Sequence, residues 1–210
     1  MTHSLHRRGS RSSLEKDFVW QPYPTKGIND DDLPEKWSRI IDIVEEVGTP
    51  NWGDVKTGPK VSRSVEEIRS GLTKRSRVRG VFTGREEVLK FLRRMKEVDI
   101  GLSVVVSGLR DEVLEACSSA GLKPHSVNLS LGVWGNKELL AEEEVLEVTT
   151  MCGHHMVAPK IVISLAEMVM RGSMTSEKAG IRLAKLCPCG IFNQERAEEL
   201  IDSMTEKTDT

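Results

Sequence analysis

"VRGVFTGREEVLKFLRRMKEVDIGLSVVVSG", residues 78–108, is the stretch that decides the predicted fold. Residues 78–83 form a short apolar run of the kind found in strands, and residues 85–98 repeat apolar side chains at helical spacing. Residues 100–108 return to a continuous apolar run, which is typical of a buried strand. A strand, a helix and a strand in this order predict a βαβ unit, in which the two strands are parallel and the helix packs on the sheet.

The same pattern continues downstream of this unit. Residues 109–121 predict a second helix, and "HSVNLSLGVWG", residues 125–135, predicts a third strand. We therefore expect an α/β fold with a mainly parallel sheet built from βαβ units over about residues 78–135. No G-x-G-x-x-G follows the first of these strands and no G-x-x-x-x-G-K-[ST] occurs, so the motifs do not support a standard dinucleotide site or a P-loop.

Two further regions flank the predicted sheet. Residues 1–30 predict an irregular, extended and basic N-terminal arm, because its arginines precede the first acidic residue, Glu15. A solvated tail is the simplest interpretation of the arm, and contact with a second copy in a homo-oligomer is the alternative. Residues 31–210 predict a single α/β domain with a C-terminal helical cap over residues 139–204.

The composition limits the classes of function. The 30 Lys and Arg residues nearly balance the 32 Asp and Glu residues, so the formal net charge of −2 does not favour nucleic-acid binding. The chain contains no run of roughly 18 apolar residues that would span a membrane, and no apolar signal segment begins it. Four cysteines are too few for a disulfide-built scaffold of this size. We expect a cytoplasmic protein.

Two short motifs concentrate the thiols and imidazoles. They are "TTMCGHHMVAP", residues 149–159, and "CPCG", residues 187–190. Between them, one helix is predicted after Pro159 and another after Thr175, and a short turn makes the two helices antiparallel. At 1.5 Å per residue these helices measure ~22 Å and ~16 Å, so the second returns the chain towards the start of the first. The two motifs are therefore expected at the same end of a helical hairpin.

This convergence predicts a metal site formed by Cys152, Cys187, Cys189 and His154. Three thiolates and one imidazole suit tetrahedral zinc or an iron–sulfur cluster, and such soft ligands argue against magnesium and calcium. The C-x-C spacing of "CPCG" matches neither the C-x-x-C pairs of zinc ribbons nor the cysteine runs of ferredoxins, so the choice between zinc and a cluster stays open. An enzyme of this kind would be a metal- or iron–sulfur-dependent oxidoreductase or lyase acting on a small anion.

Two alternatives use the same residues differently. A metal-free thiol enzyme would use Cys152 as its nucleophile and His154 or His155 as the catalytic base. A noncatalytic assembly module would use the cysteines to hold a structural zinc. Separately, Arg85 and Arg110 follow the ends of two predicted strands, where α/β proteins bind ligands, and are candidates to bind a small anionic ligand.

Overall fold

The computed structural model describes residues 6–206, so residues 1–5 of the predicted arm and residues 207–210 of the predicted domain lie outside it. The strands are β1 (Phe18–Tyr23), β2 (Asn51–Asp54), β3 (Gly58–Pro59), β4 (Arg79–Phe82) and β5 (Ser103–Ser107). The helices are α1 (Arg11–Leu14), α2 (Leu33–Val47), α3 (Val65–Ser70), α4 (Arg85–Val98), α5 (Arg110–Ser119), α6 (Glu143–Thr149), α7 (Pro159–Met170), α8 (Ser176–Lys185) and α9 (Gln194–Glu206), with a 3-10 turn at Lys137–Leu139. Between residues 6 and 206, none of the helices combines the length and the apolar character needed to cross a membrane.

The five strands form one sheet in the order β3-β2-β4-β1-β5, and every pair of neighbours is antiparallel. The prediction of a mainly parallel sheet is therefore wrong. β4, α4 and β5 follow one another along the chain as expected, and the two strands run in the same direction. However, β1 lies between β4 and β5 in the sheet and pairs with both. Trp20 of β1 faces Gly80 on one side and Val106 on the other.

β1 belongs to the segment predicted as an extended arm, and its Pro22 shows why a central strand was not expected there. Proline cannot donate a hydrogen bond to a neighbouring strand and is rare inside sheets. The pairing with β4 covers Phe18 to Trp20 only, whereas the pairing with β5 continues to Tyr23. Pro22 therefore lies beyond the end of β4, where β1 has a strand on one side only.

The predicted third strand, residues 125–135, is not formed. These residues have no regular secondary structure and are exposed, as shown by Leu131 at 83% and Trp134 at 84% exposure. β5 consequently forms the edge of the sheet, and the second predicted βαβ unit is absent from residues 6–206. The apolar pattern is present, but in the part of the chain that the structure describes no strand pairs with these residues.

Helices cover both faces of the sheet. Phe18 and Trp20 of β1 pack with α2 and α4 in one hydrophobic core, where the rings of Trp20 and Phe91 are 5.4 Å apart. Val19, between them in sequence, points to the opposite face and a second core. That second core contains the predicted C-terminal helices α7–α9 together with the three cysteines of the two motifs. The candidate site is thus part of the packed layer of helices on one face of the sheet.

Candidate functional site

The two motifs occupy two turns of the C-terminal helical layer. Cys152 follows α6, in the turn that leads to Pro159 at the start of α7. Cys187 and Cys189 follow α8, which begins at a cap where the Thr175 side chain accepts a hydrogen bond from the Lys178 amide. α7 leads away from the first turn and α8 returns to it, so the hairpin brings the motifs together.

The donor atoms of the predicted metal ligands are neighbours. The Sγ atoms of Cys187 and Cys189 are 3.7 Å apart, and the Sγ atom of Cys189 is 3.6 Å from Nδ1 of His154. The thiols of Cys152 and Cys187 interact as well, and this interaction shifts the pKa of both groups. All three cysteines are fully buried, whereas His154 is exposed, so the imidazole forms the solvent side of the cluster.

The second histidine is placed differently. His155 is exposed and has a positive φ of 56°, and its amide donates a hydrogen bond to the carbonyl of Cys152. A positive φ is uncommon for a residue other than glycine, and here it marks the tight turn after Cys152. Of the two predicted catalytic histidines, only His154 is shown in contact with a thiol among the described residues.

The four donors come from the two turns, but their present arrangement is not a metal site. Within residues 6–206, no group of three or more His, Cys, Asp or Glu side chains is placed so that it could hold a metal ion. Cys189 contacts both Cys187 and His154. Binding of one ion by all four donors would therefore require these side chains to rearrange.

Contacts among the three thiols order their acidities. The hydrogen bond from Cys187 lowers the pKa of Cys189, and the positive charge of Arg79 acts in the same direction. The interaction with Cys187, followed by burial, raises the pKa of Cys152 well above its usual range. The interaction with Cys152 lowers the pKa of Cys187, but the hydrogen bond to Cys189 and burial outweigh it and raise that pKa to about 11. Cys189 is therefore the one of these three thiols whose pKa is lowered.

The "CPCG" turn is pressed against the backbone of β2. Gly190 has a φ of +76°, and a Cβ atom there would lie 2.2 Å from the carbonyl carbon of Trp52. Only glycine fits such a contact, because any side chain would collide with the backbone of the strand. The amide of Asn51 extends the contact by donating to the Phe192 carbonyl at 3.0 Å. The sequence signal for this role was the glycine directly after C-P-C, which the motif analysis left without a function.

A buried ion network, composed of Arg7, Asp17 and Arg196, joins the two turns. The guanidinium of Arg7 donates to the carbonyl of Met151, directly before Cys152, and to that of Ile191, directly after "CPCG", and it pairs with Asp17. Asp17 also pairs with Arg196 at 2.7 Å, and the side chains of this second pair are 0% and 1% exposed. The sequence analysis missed this network, because an arginine in a basic N-terminal segment has the same local pattern whether it is solvated or buried.

The two arginines predicted to bind an anion also differ. Arg85 is paired with Glu112 and with Glu115, the latter at 2.8 Å, so its charge is already neutralised. Arg110 forms no ion pair with any residue from 6 to 206 and lines a large cavity beside α5. The structure thus separates Arg110 from Arg85, and it places neither of them in the thiol cluster.

Comparisons with protein-family models, with curated proteins and with solved structures found no match for this chain. The chemistry of the site is therefore inferred from the donor atoms themselves. These are three buried sulfurs and one exposed imidazole, held by two turns that a distant arginine and a strand backbone fix in place.

Proposed function

We propose that the protein binds a single zinc ion through Cys152, Cys187, Cys189 and His154. The observation that carries this proposal is the pair of distances of 3.7 Å between two sulfurs and 3.6 Å between a sulfur and a ring nitrogen. Tetrahedral zinc, with Zn–S bonds of about 2.3 Å and Zn–N bonds of about 2.0–2.1 Å, separates two sulfurs by about 3.8 Å and a sulfur from a nitrogen by about 3.6 Å. The two observed distances match two of the six edges of such a tetrahedron.

The same distances favour a single ion over a [4Fe–4S] cluster. Each cysteine of a [4Fe–4S] cluster binds a different iron, so the cysteine sulfurs are held further apart than the ligands of one ion. Cys187 and Cys189 are too close for that arrangement at 3.7 Å. A [2Fe–2S] cluster places two cysteines on one iron, so the measurement of inorganic sulfide decides between such a cluster and zinc.

A structural role for the zinc agrees best with the ligand set. Four protein ligands complete a tetrahedron and leave no position for a substrate, as in structural zinc sites. The ion would also supply positive charge to a buried set of three thiols, which bind metal as thiolates. Zinc would thereby link the turn after α6 to the turn after α8 and stabilise the C-terminal layer.

The alternative of a metal-free enzyme with Cys152 as nucleophile has less support. A nucleophilic cysteine needs an accessible thiolate, usually with a lowered pKa. Cys152 is fully buried and its pKa is raised, first by its hydrogen bond to Cys187. The four cysteines are free thiols, which suits a reducing compartment, and on that basis we propose the cytoplasm as the location.

Metal analysis of protein purified without oxygen tests the proposal. We expect one zinc per chain, no inorganic sulfide, and visible absorption typical of tetrahedral cobalt–thiolate complexes after replacement of zinc by Co²⁺. Iron and inorganic sulfide in stoichiometric amounts would instead indicate that the site binds an iron–sulfur cluster. Folded protein that takes up neither zinc nor iron would contradict a metal site altogether.

Two matched pairs of variants identify the ligands. Cys189→Ser should weaken zinc binding by more than the roughly 10- to 100-fold caused by outer-shell substitutions, whereas Cys117→Ser, on α5, should not change it. His154→Ala should weaken binding and His155→Ala should not, although the two residues are adjacent. Equal effects of the two histidine substitutions would contradict the assignment of His154.

A further inference from the structure

A cavity of about 750 Å³ lies between the edge of the sheet, α4 and α5. Its volume is within the range of about 300–1,000 Å³ that is common for small-molecule sites. Met95 of α4, Val104 and Val106 of β5 and Val113 of α5 form apolar walls, and the irregular segment from Leu122 to Leu129 forms another. The cavity is separate from the zinc site, which lies in the core on the other face of the sheet.

The walls of the cavity are incompletely covered. Val104 and Val106 are only partly buried although they belong to a sheet strand, and Val113 and Leu122 are partly buried as well. Val127 and Leu129 on the irregular wall are 55% and 62% exposed. Apolar ligand atoms in this space would remove these surfaces from water, which is the main favourable contribution in most apolar pockets.

The charged groups around the cavity are mainly cationic. Lys96, Arg110 and Lys123 line it, against a single carboxylate from Asp99. Lys96 donates to the carbonyls of Ala120 and Gly121, both at 3.1 Å. Neither Arg110 nor Lys123 forms an ion pair with any residue between 6 and 206, so their charges are available to a ligand.

We propose that this cavity binds a medium-chain acyl carboxylate. The alkyl chain would lie between α4, α5 and β5, and the carboxylate would pair with Arg110, assisted by the charge of Lys123. Arginine suits this role because its planar guanidinium donates two parallel hydrogen bonds to a carboxylate. The proposal depends on Arg110 and the apolar walls, and it does not depend on the occupant of the cysteine site.

Calorimetric titration of the full chain with decanoate, below its micelle concentration, tests this proposal. We expect one decanoate bound per chain and no binding of decyltrimethylammonium, which has the same chain length and the opposite charge. Absence of decanoate binding to the folded protein would overturn the proposal. Equal binding of the two amphiphiles would overturn the assigned charge selectivity.

Two variants and a matched control locate the ligand. Arg110→Gln should weaken decanoate binding at least about tenfold, whereas Arg85→Gln, whose arginine is paired with Glu112 and Glu115, should leave it unchanged. Val113→Trp should place a large ring against the apolar wall of the cavity and weaken decanoate binding while far-ultraviolet circular dichroism confirms the fold. Unchanged binding in Val113→Trp or in Arg110→Gln would show that decanoate binds elsewhere and contradict the proposal.

Discussion

The turns that carry the cysteines and the segment of residues 123–140 are both irregular connections in the same half of the chain. The first are covered at Cys152, Cys189 and Phe192, which are fully buried, and are exposed at His154 and His155, whereas the second exposes Trp134 to 84%. The covered turns are held by groups far away in sequence, notably Arg7 and the backbone of β2. The comparison teaches that long-range contacts, and not the local content of apolar residues, decide which irregular segments become buried.

The largest expected loss of stability comes from the buried ion network behind the covered turns. Asp17→Ala removes the carboxylate that the buried side chains of Arg7 and Arg196 share and leaves Arg196 with a longer, 3.9 Å pair to Glu147, which should cost about 3–5 kcal/mol of unfolding free energy. Glu199→Ala is the control, because the pair of Glu199 with Lys16 is exposed and should contribute less than about 1 kcal/mol. Urea unfolding measures both, and similar losses would remove the distinction between the two environments.

Removal of the proposed zinc should affect the covered turns and spare the exposed segment. At a free zinc concentration 1,000 times the dissociation constant, binding stabilises the folded protein by about 4 kcal/mol, and a chelator should remove this contribution. Hydrogen exchange should then show lost protection around residues 150–158 and 186–192, with no change at residues 123–140. A chelator without effect on the unfolding temperature or on exchange would contradict a structural metal.

The contact between "CPCG" and β2 predicts a smaller effect. Gly190→Ala must adopt a left-handed conformation and also shift the backbone of Trp52 and Gly53, for an expected cost of about 2–4 kcal/mol. Gly172→Ala has a similar φ of +69° but nothing within 4 Å of the added carbon, so it should cost only about 1–2 kcal/mol. The difference between the two, measured by urea unfolding, isolates the close approach to the strand. Equal losses of unfolding free energy in the two variants would show that the backbone of β2 shifts to accommodate the added carbon at little cost.

The smallest effect is expected in the exposed segment. Trp134→Ser should change the unfolding free energy by less than about 0.5 kcal/mol, because the ring is mostly in solvent. Phe192→Ala, in the covered region, should cost about 3–5 kcal/mol. A large loss on replacing Trp134 would mean that residues 123–140 are packed in solution, and would end the contrast between the two regions.

Local patterns predicted the elements of the fold better than their pairing. The apolar spacing of residues 85–98 was sufficient for α4, because a helix makes its hydrogen bonds within itself. It could not reveal that β1 separates β4 from β5, since strand neighbours are chosen by residues distant in sequence. The pattern of residues 125–135 led to a wrong prediction for the same reason, because a strand also needs a partner.

In the candidate site, too, local patterns predicted some features, whereas contacts between residues distant in sequence could not be predicted. The lengths of α7 and α8 were enough to predict that the two motifs would meet, and the distances from Cys189 to Cys187 and to His154 agree with that meeting. The ligand set itself stays a prediction until metal is measured. The contacts of Arg7 with the two turns could not be predicted from the sequence, because nothing near Arg7 in sequence distinguishes a buried guanidinium from a solvated one.

The central position of β1 also sets a condition on the order of folding. Val19 pairs with Val81 of β4 on one side and with Ser107 of β5 on the other. The two partner strands of β1 therefore lie more than fifty residues after it in the sequence and are synthesised later. Pairing between residues so far apart in sequence slows folding, because loop closure must precede the contacts that reward it. During synthesis, the apolar residues Phe18 to Trp20 remain unpaired until β4 and β5 have emerged. This interval is when the chain would most need a chaperone.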